Sequence, residues 1–200
     1  MRILLVGATG TLGNSVCAAL RERGHDVLTA SRSGSELSVD MTDPDSIAAL
    51  YQRAGMVDAV ACAAGSVPWR PLSALSYSDV LSGVVGKVLS QVELVRRGSA
   101  HVTENGSFTL ITGVTAREAV PTGTVASLAN GAIESFVLAA AIELPHRQRI
   151  NAVSPTVFAE SQEHYDPVFA GFDPVPVRRA AQAYVRSIEG GQTGQIFQVG

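Results

Sequence analysis

Three glycines near the start of the chain have the types and spacing for phosphate chemistry: Gly7-Ala-Thr-Gly10-Thr-Leu-Gly13. They follow an apolar run, Arg2–Val6, and precede a stretch of helical pattern. At the end of such a strand Gly7 permits a tight turn, Gly10 lets backbone approach a pyrophosphate, and Gly13 lets the helix lie close to the sheet. The free N–H groups of the helix start would then hold the phosphates, with Gly7, Thr9, Gly10, Leu12 and Gly13 as the expected contacts. The end of the second strand, Ala30-Ser31-Arg32-Ser33, carries the next signal. A ribose with a free 2′-hydroxyl is usually met there by Asp or Glu. An arginine pairs instead with a 2′-phosphate, with Ser31 and Ser33 as added donors. The residues therefore favour NADP(H) over NAD(H).

Proton chemistry is harder to locate. Residues 156–176 hold three of the nine prolines and read as an irregular lid. They carry Glu160, Ser161, Glu163, His164, Tyr165 and Asp166, of which His164 and Tyr165 have the chemistry for proton transfer. A solvated polar loop explains the same composition. After the fifth strand, Arg117 either binds an anionic group or pairs with Glu118. Trp69, the only tryptophan, either walls a pocket or caps the core. No cluster has metal-ligand spacing, and no metal is expected.

These residues must be positioned by alternating elements. Strand patterns occupy residues 2–6, 25–30, 36–39, 57–61, 107–112, 149–153 and 195–199. Helical patterns occupy 12–23, 44–54, 78–97, 125–144 and 177–187, with Asp43 as a candidate N-cap before Pro44. The alternation implies an α/β Rossmann-type fold: a doubly wound parallel sheet of about seven strands in three αβα layers. Nothing divides residues 1–200 into more than one domain. The chain is 46% hydrophobic and 16% charged, as expected for a parallel sheet buried on both faces. A net charge of −3 gives no sign of a nucleic-acid partner. No uncharged run has the length of a membrane span, and Met1 leads straight into a strand, so a cytoplasmic location is expected. Cys17 and Cys62 read as core thiols.

With these motifs in place, the chain resembles the short-chain dehydrogenase/reductase family over essentially its full length. The glycine loop matches, as do Asp40 after the third strand, Ala63-Ala64-Gly65 after the fourth, Asn151-Ala-Val-Ser-Pro155 at the sixth, and the closing Gly194-Gln-Ile-Phe-Gln-Val-Gly200. The resemblance implies that Asp40 lies near the adenine, that Ala64 and Gly65 line the cofactor, and that Thr156 and Val157 contact the nicotinamide. It also implies a small-molecule substrate and a homodimer or homotetramer built through the two helical stretches around 78–97 and 125–144.

The departures concern chemistry. Aligning Gly131-Ala-Ile-Glu-Ser-Phe136 with the family pattern puts Ala126 at the family's tyrosine and Asn130 at its lysine. Gly113, beside Thr112, falls at the serine, and the helical asparagine falls near Val84. The only lysine, Lys87, has Gly83 four residues before it, so no Tyr-x-x-x-Lys exists. Ala126 has no proton to give to a carbonyl as hydride arrives. Thr112, Asn130 and Tyr165 are the remaining catalytic candidates. Two functional classes stay open. One is an NADP(H) oxidoreductase acting on an activated acceptor, such as a conjugated double bond or an imine, with an unusual proton donor. The other is a non-redox protein that binds the dinucleotide, or reuses the pocket for isomerisation, cyclisation or elimination.

Overall fold

The structure, a computed structural model, describes residues 1–165 and 167–200, without the side chains of residues 164 and 165. The chain runs β1 (Arg2–Val6), α1 (Thr11–Glu22), β2 (Asp26–Ser31), β3 (Leu37–Ser38), α2 (Pro44–Ala54) and β4 (Val57–Cys62). It continues through α3 (Tyr77–Gly83), a π-helical turn (Val84–Leu89), α4 (Ser90–Gly98), β5 (Val102–Ile111) and α5 (Thr124–Glu143). It ends with β6 (Arg149–Pro155), α6 (Gln162–Tyr165), α7 (Val177–Glu189) and β7 (Ile196–Val199). All strand pairs are parallel, in the order β3-β2-β1-β4-β5-β6-β7. The order reverses between β1 and β4, and the crevice beyond the carboxyl ends of those strands is where open α/β sheets bind ligands.

The strands are apolar at consecutive positions because both faces of the sheet are covered. In β1, Ile3 and Leu5 join the layer of α1 and α7, with Val16, Leu20, Tyr184 and Ile188. Leu4 and Val6 point the other way, into the layer of α2, α4 and α5, with Leu50, Tyr51, Leu94 and Ile133. Buried hydroxyls in these layers are satisfied: Tyr184 donates to the Cys62 carbonyl and Tyr51 to the Leu94 carbonyl, each at 2.6 Å. Asp43 caps α2 as expected, accepting from the Asp45 N–H at 2.9 Å. Cys17 and Cys62 are free, buried thiols.

Three differences from the sequence reading have physical causes. The pattern starts the fifth strand at 107; β5 begins at Val102 and takes in Thr103-Glu-Asn-Gly106 with an irregularity in its pairing with β4. The single helix expected over 78–97 contains the π-helical turn. The lid is not wholly irregular: Phe158 and Val175 form a parallel bridge, and α6 lies between them.

Helix α5 is long and apolar enough to meet a membrane-span test, with mean hydropathy 1.6. Its Val125, Ala129, Ile133 and Val137 are buried, while Leu128, Leu138 and Ile142 stand exposed on the outer side.

Candidate functional site

The glycine loop has the geometry its composition implies. Gly7 sits at φ +84°, and a Cβ there would lie 2.8 Å from both the Ala63 carbonyl carbon and Ala64 Cβ. A side chain would therefore be strained by conformation and by space at once. At Gly13 a Cβ would fall 2.0 Å from the Gly7 oxygen, so α1 can approach the first turn only with glycine there. Gly10 is different. It is exposed, and a Cβ would meet only the Gly7 oxygen, at 3.7 Å, so its face is open. Gly10 caps α1 with no side-chain hydrogen bond, leaving first-turn N–H groups turned toward the groove.

An outer groove of about 520 Å³ opens from this loop. Gly7, Thr9, Gly10, Ser31, Arg32, Ser33 and Asp40 line it. Ala64 and Gly65 close it toward the centre. Among the described residues, no carboxylate forms an ion pair with the exposed Arg32 guanidinium. Ser31 is less available. Its hydroxyl is within 2.6 Å of the Ser33 carbonyl and 2.7 Å of Ser35 Oγ, so it shapes the loop that carries Arg32. Asp40 Oδ1 accepts from the Thr42 hydroxyl at 2.7 Å and the Thr42 N–H at 2.9 Å. Those bonds, helped by Arg32, hold its carboxyl below the ordinary range.

Beyond Ala64 and Gly65 lies an inner cavity of about 410 Å³. Leu12, Thr156 and Val157 line it from one side, Thr112, Gly113 and Thr115 from another, and Ala126 and Asn130 from α5. The expected cofactor contacts other than Gly13 thus line one or the other of two hollows that share Ala64 and Gly65. Gly13 packs against the Gly7 carbonyl of the turn.

Asn130 is 3% exposed. Its Nδ2 donates to Thr115 Oγ1 at 2.7 Å, and its Oδ1 has no partner among the described residues. One hydroxyl serves only one end of an amide, so a buried polar atom beside the cavity stays unsatisfied.

The other catalytic candidates fare differently. The Thr112 hydroxyl faces Glu134 Oε1 at 3.1 Å, which also receives Arg117 Nη1 at 2.6 Å and the Ser154 hydroxyl at 3.2 Å. Arg117 therefore pairs with Glu134 rather than Glu118, and this polar knot lies behind the cavity wall. Tyr165, with His164 and Asp166, falls outside the described side chains. Glu160 accepts from the Val177 N–H at 3.0–3.1 Å and so caps α7. Trp69 lines the cavity, its ring 5.9 Å from that of Phe169, which resolves its role in favour of a pocket wall.

The sequence reading does not single out several residues of the cavity, among them its one lysine. Lys87 lines it from the π-helical turn, and its Nζ donates to the Thr112 carbonyl at 3.5 Å. The available signal was a lone lysine inside an apolar run, Val84-Val-Gly-Lys-Val-Leu89.

Comparison with known proteins accords with this geometry. The family model described as enoyl-(acyl carrier protein) reductase matches residues 7–182. The crystal structure of the protein lin1944 from Listeria innocua superimposes with a TM-score of 0.98 at 42% identity, covering 100% of both chains. A small-chain dehydrogenase solved in complex with NADPH has the same fold, with a TM-score of 0.87 at 23% identity over 100% of this chain and 96% of that one. L-xylulose reductase of Bos taurus is 25% identical over 173 residues, covering 78% of this chain and 71% of the relative. Since the family match extends from the glycine loop into α7, the chain belongs to the short-chain dehydrogenase/reductase family.

Proposed function

We infer that the chain is an NADP(H)-dependent oxidoreductase that reduces a small-molecule acceptor already activated toward hydride, such as a conjugated double bond or an imine. The observation that carries this reading is a pair of adjoining hollows at the β1/β4 switch point that share Ala63, Ala64, Gly65 and Ser66 in their lining; the outer one bears Arg32, which has no ion-pair partner among the described residues, and the inner one bears Asn130, whose Oδ1 has no hydrogen-bond partner among them. The groove fits a dinucleotide. Gly7 and Gly10 keep backbone free for a pyrophosphate, the start of α1 offers N–H donors, and Arg32 offers a charged fork for a 2′-phosphate. Asp40 would lie at the adenine side, and Thr156 and Val157 at the nicotinamide. A ribose hydroxyl near Asn130 would satisfy its amide. When bound, the reduced nicotinamide supplies hydride, while this chain's residues orient the acceptor and exclude water. The NADPH held by a protein of the same fold is compatible with this reading.

Titrating the purified protein with NADPH and with NADH, then repeating with Arg32→Ala, tests it. Tight NADPH binding that weakens selectively in the variant is expected. No binding of either cofactor at millimolar concentration would remove the reading.

One observation favours a second reading, a non-redox dinucleotide-binding protein: α5 presents only Ala126 and Asn130 to the cavity, and neither is an acid. Stoichiometric cofactor oxidation with an acceptor excludes it.

A homo-oligomer is also proposed. Leu81 and Leu89 on the 77–98 helical stretch and Leu128, Leu138 and Ile142 on α5 leave apolar surface exposed, up to 88% at Ile142. A helix apolar on both sides is stable in water when its outer side is covered.

A further inference from the structure

The inner cavity holds a cation that the family pattern does not assign. Three observations fix where Lys87 sits. A Cβ on Gly65 would lie 2.9 Å from Lys87 Cγ, so a side chain at 65 would push the lysine stem aside. A Cβ on Gly86 would lie 2.8 Å from the Ser66 carbonyl oxygen, so glycine lets the π-helical turn press against the chain leaving β4. Gln91, four residues on, clasps the end of β5: Nε2 donates to the Ile111 carbonyl at 3.0 Å, and Oε1 accepts the Ile111 N–H at 2.9 Å. Lys87 and Gln91 thus address consecutive residues, with the amine at the Thr112 carbonyl, beside Gly113. Turns of π-helix occur often where a helix must aim a functional side chain.

Among the described residues this amine has no counter-charge: no carboxylate pairs with it. Cys62, at the end of β4, is the titratable group that influences it. On α5, Ala126 and Asn130 line the same cavity, and just past β5 the amine meets the Thr112 carbonyl; Glu134 and Arg117 are engaged with each other. Burial pushes the Cys62 thiol up to about 11, so it stays protonated at neutral pH. Burial also pulls the Lys87 amine down to about 8. An acid of that strength is matched to work near neutrality.

We propose that Lys87 is the proton donor of this site, delivering its Nζ proton from the 84–89 turn to the acceptor, in place of an acid on α5. The proposal rests on the oxidoreductase reading above. For a conjugated enone acceptor, a bound reduced nicotinamide would supply the hydride for the new C–H bond at the β carbon, and the alkene π pair would be displaced through the conjugated system onto the carbonyl oxygen. One Nζ–H bond of Lys87 breaks and one O–H bond forms. The neutral amine then regains a proton from solvent.

The single lysine makes the test direct. The full chain labelled with carbon-13 at lysine Cε gives one lysine resonance, whose midpoint is expected near 8. NADPH oxidation with 2-cyclohexenone as probe acceptor is compared in the wild type, Lys87→Met and Lys87→Arg. Lys87→Met is expected to lower kcat about 100-fold while NADPH still binds. Lys87→Arg keeps the charge but holds its proton, and is expected not to restore turnover. Wild-type kcat should fall as pH rises through the lysine midpoint. A midpoint at the ordinary value of about 10.4, or turnover in either variant within about threefold of wild type, overturns the proposal and leaves the cofactor reading standing. Failure of the wild type to bind NADPH is the separate result that removes both.

Discussion

The two halves of the groove are built in different ways. The outer half is mostly backbone, a glycine turn, a helix start and the short loop that carries Arg32, each made by residues adjacent in sequence. The inner half is side chain, assembled from the ends of β4, β5 and β6, from α5, from the lid and from the π-helical turn. Backbone donors depend on conformation, so a few glycines preserve them. A proton donor depends on one side chain, and different elements around the cavity can supply it. This contrast explains how the chain keeps the family's glycine turn while its only lysine enters the cavity from the 84–89 turn rather than from α5.

Substitutions in each half can break or sharpen the contrast. The largest effect is expected at Gly13→Ala, because its Cβ would sit 2.0 Å from backbone oxygen, which cannot swing away. A loss of about 3 kcal/mol, or about 10 °C in Tm, is expected together with loss of NADPH binding. Calorimetry would show it, and an unchanged Tm would mean the outer half is not backbone-limited.

Arg32→Ala should weaken NADPH binding about 10–100-fold through one lost charge-assisted contact, and leave NADH within about twofold. Fluorescence titration reads both. Equal losses for the two cofactors would place Arg32 away from a 2′-phosphate.

In the inner half, Lys87→Met should raise stability at pH 7 by roughly 1–2 kcal/mol, since folding there desolvates a charge. The sign follows from the depressed pKa. Below about 8 the folded and unfolded chains both carry the proton, and the folded chain bears the full cost of burying it. Between about 8 and the unfolded value of roughly 10.4 the folded chain has shed the proton, and the wild type regains stability. Urea unfolding at several pH values should show the advantage of the variant shrinking across that window. A constant difference would assign the effect to packing.

Glu134→Gln alters the polar knot behind the wall and should cost about 1 kcal/mol with NADPH affinity unchanged. A large change in affinity would move Glu134 into the site. The smallest change in protomer stability, within about 0.5 kcal/mol, is expected for the exposed Ile142→Glu. Its readout is mass in sedimentation: a smaller assembly supports α5 as an interface, and an unchanged one removes it from that role.

The sequence determined what is local. Gly7, Gly10 and Gly13 specified the turn, Asp43 and Pro44 the start of α2, and consecutive apolar residues such as Ile3-Leu4-Leu5-Val6 a strand covered on both faces. The place of Arg32 in the lining of the outer groove was legible because it follows from a count along two adjacent elements. Tertiary structure decided what depends on distant partners. Thr112 looked like a substrate contact until Glu134, 22 residues on, took its hydroxyl. For Arg117 the sequence left open an anionic group or its neighbour Glu118, and the fold brought it Glu134 and Ser154 instead. Lys87 carried little local meaning, since a lysine on a helix usually faces water. Its half-buried position by the end of β5 arises from Gly65, Gly86 and Gln91, which act on it only once the strands are in order. Turn geometry is a property of neighbouring dihedral angles, whereas the environment of a charge is set by whatever the fold packs around it.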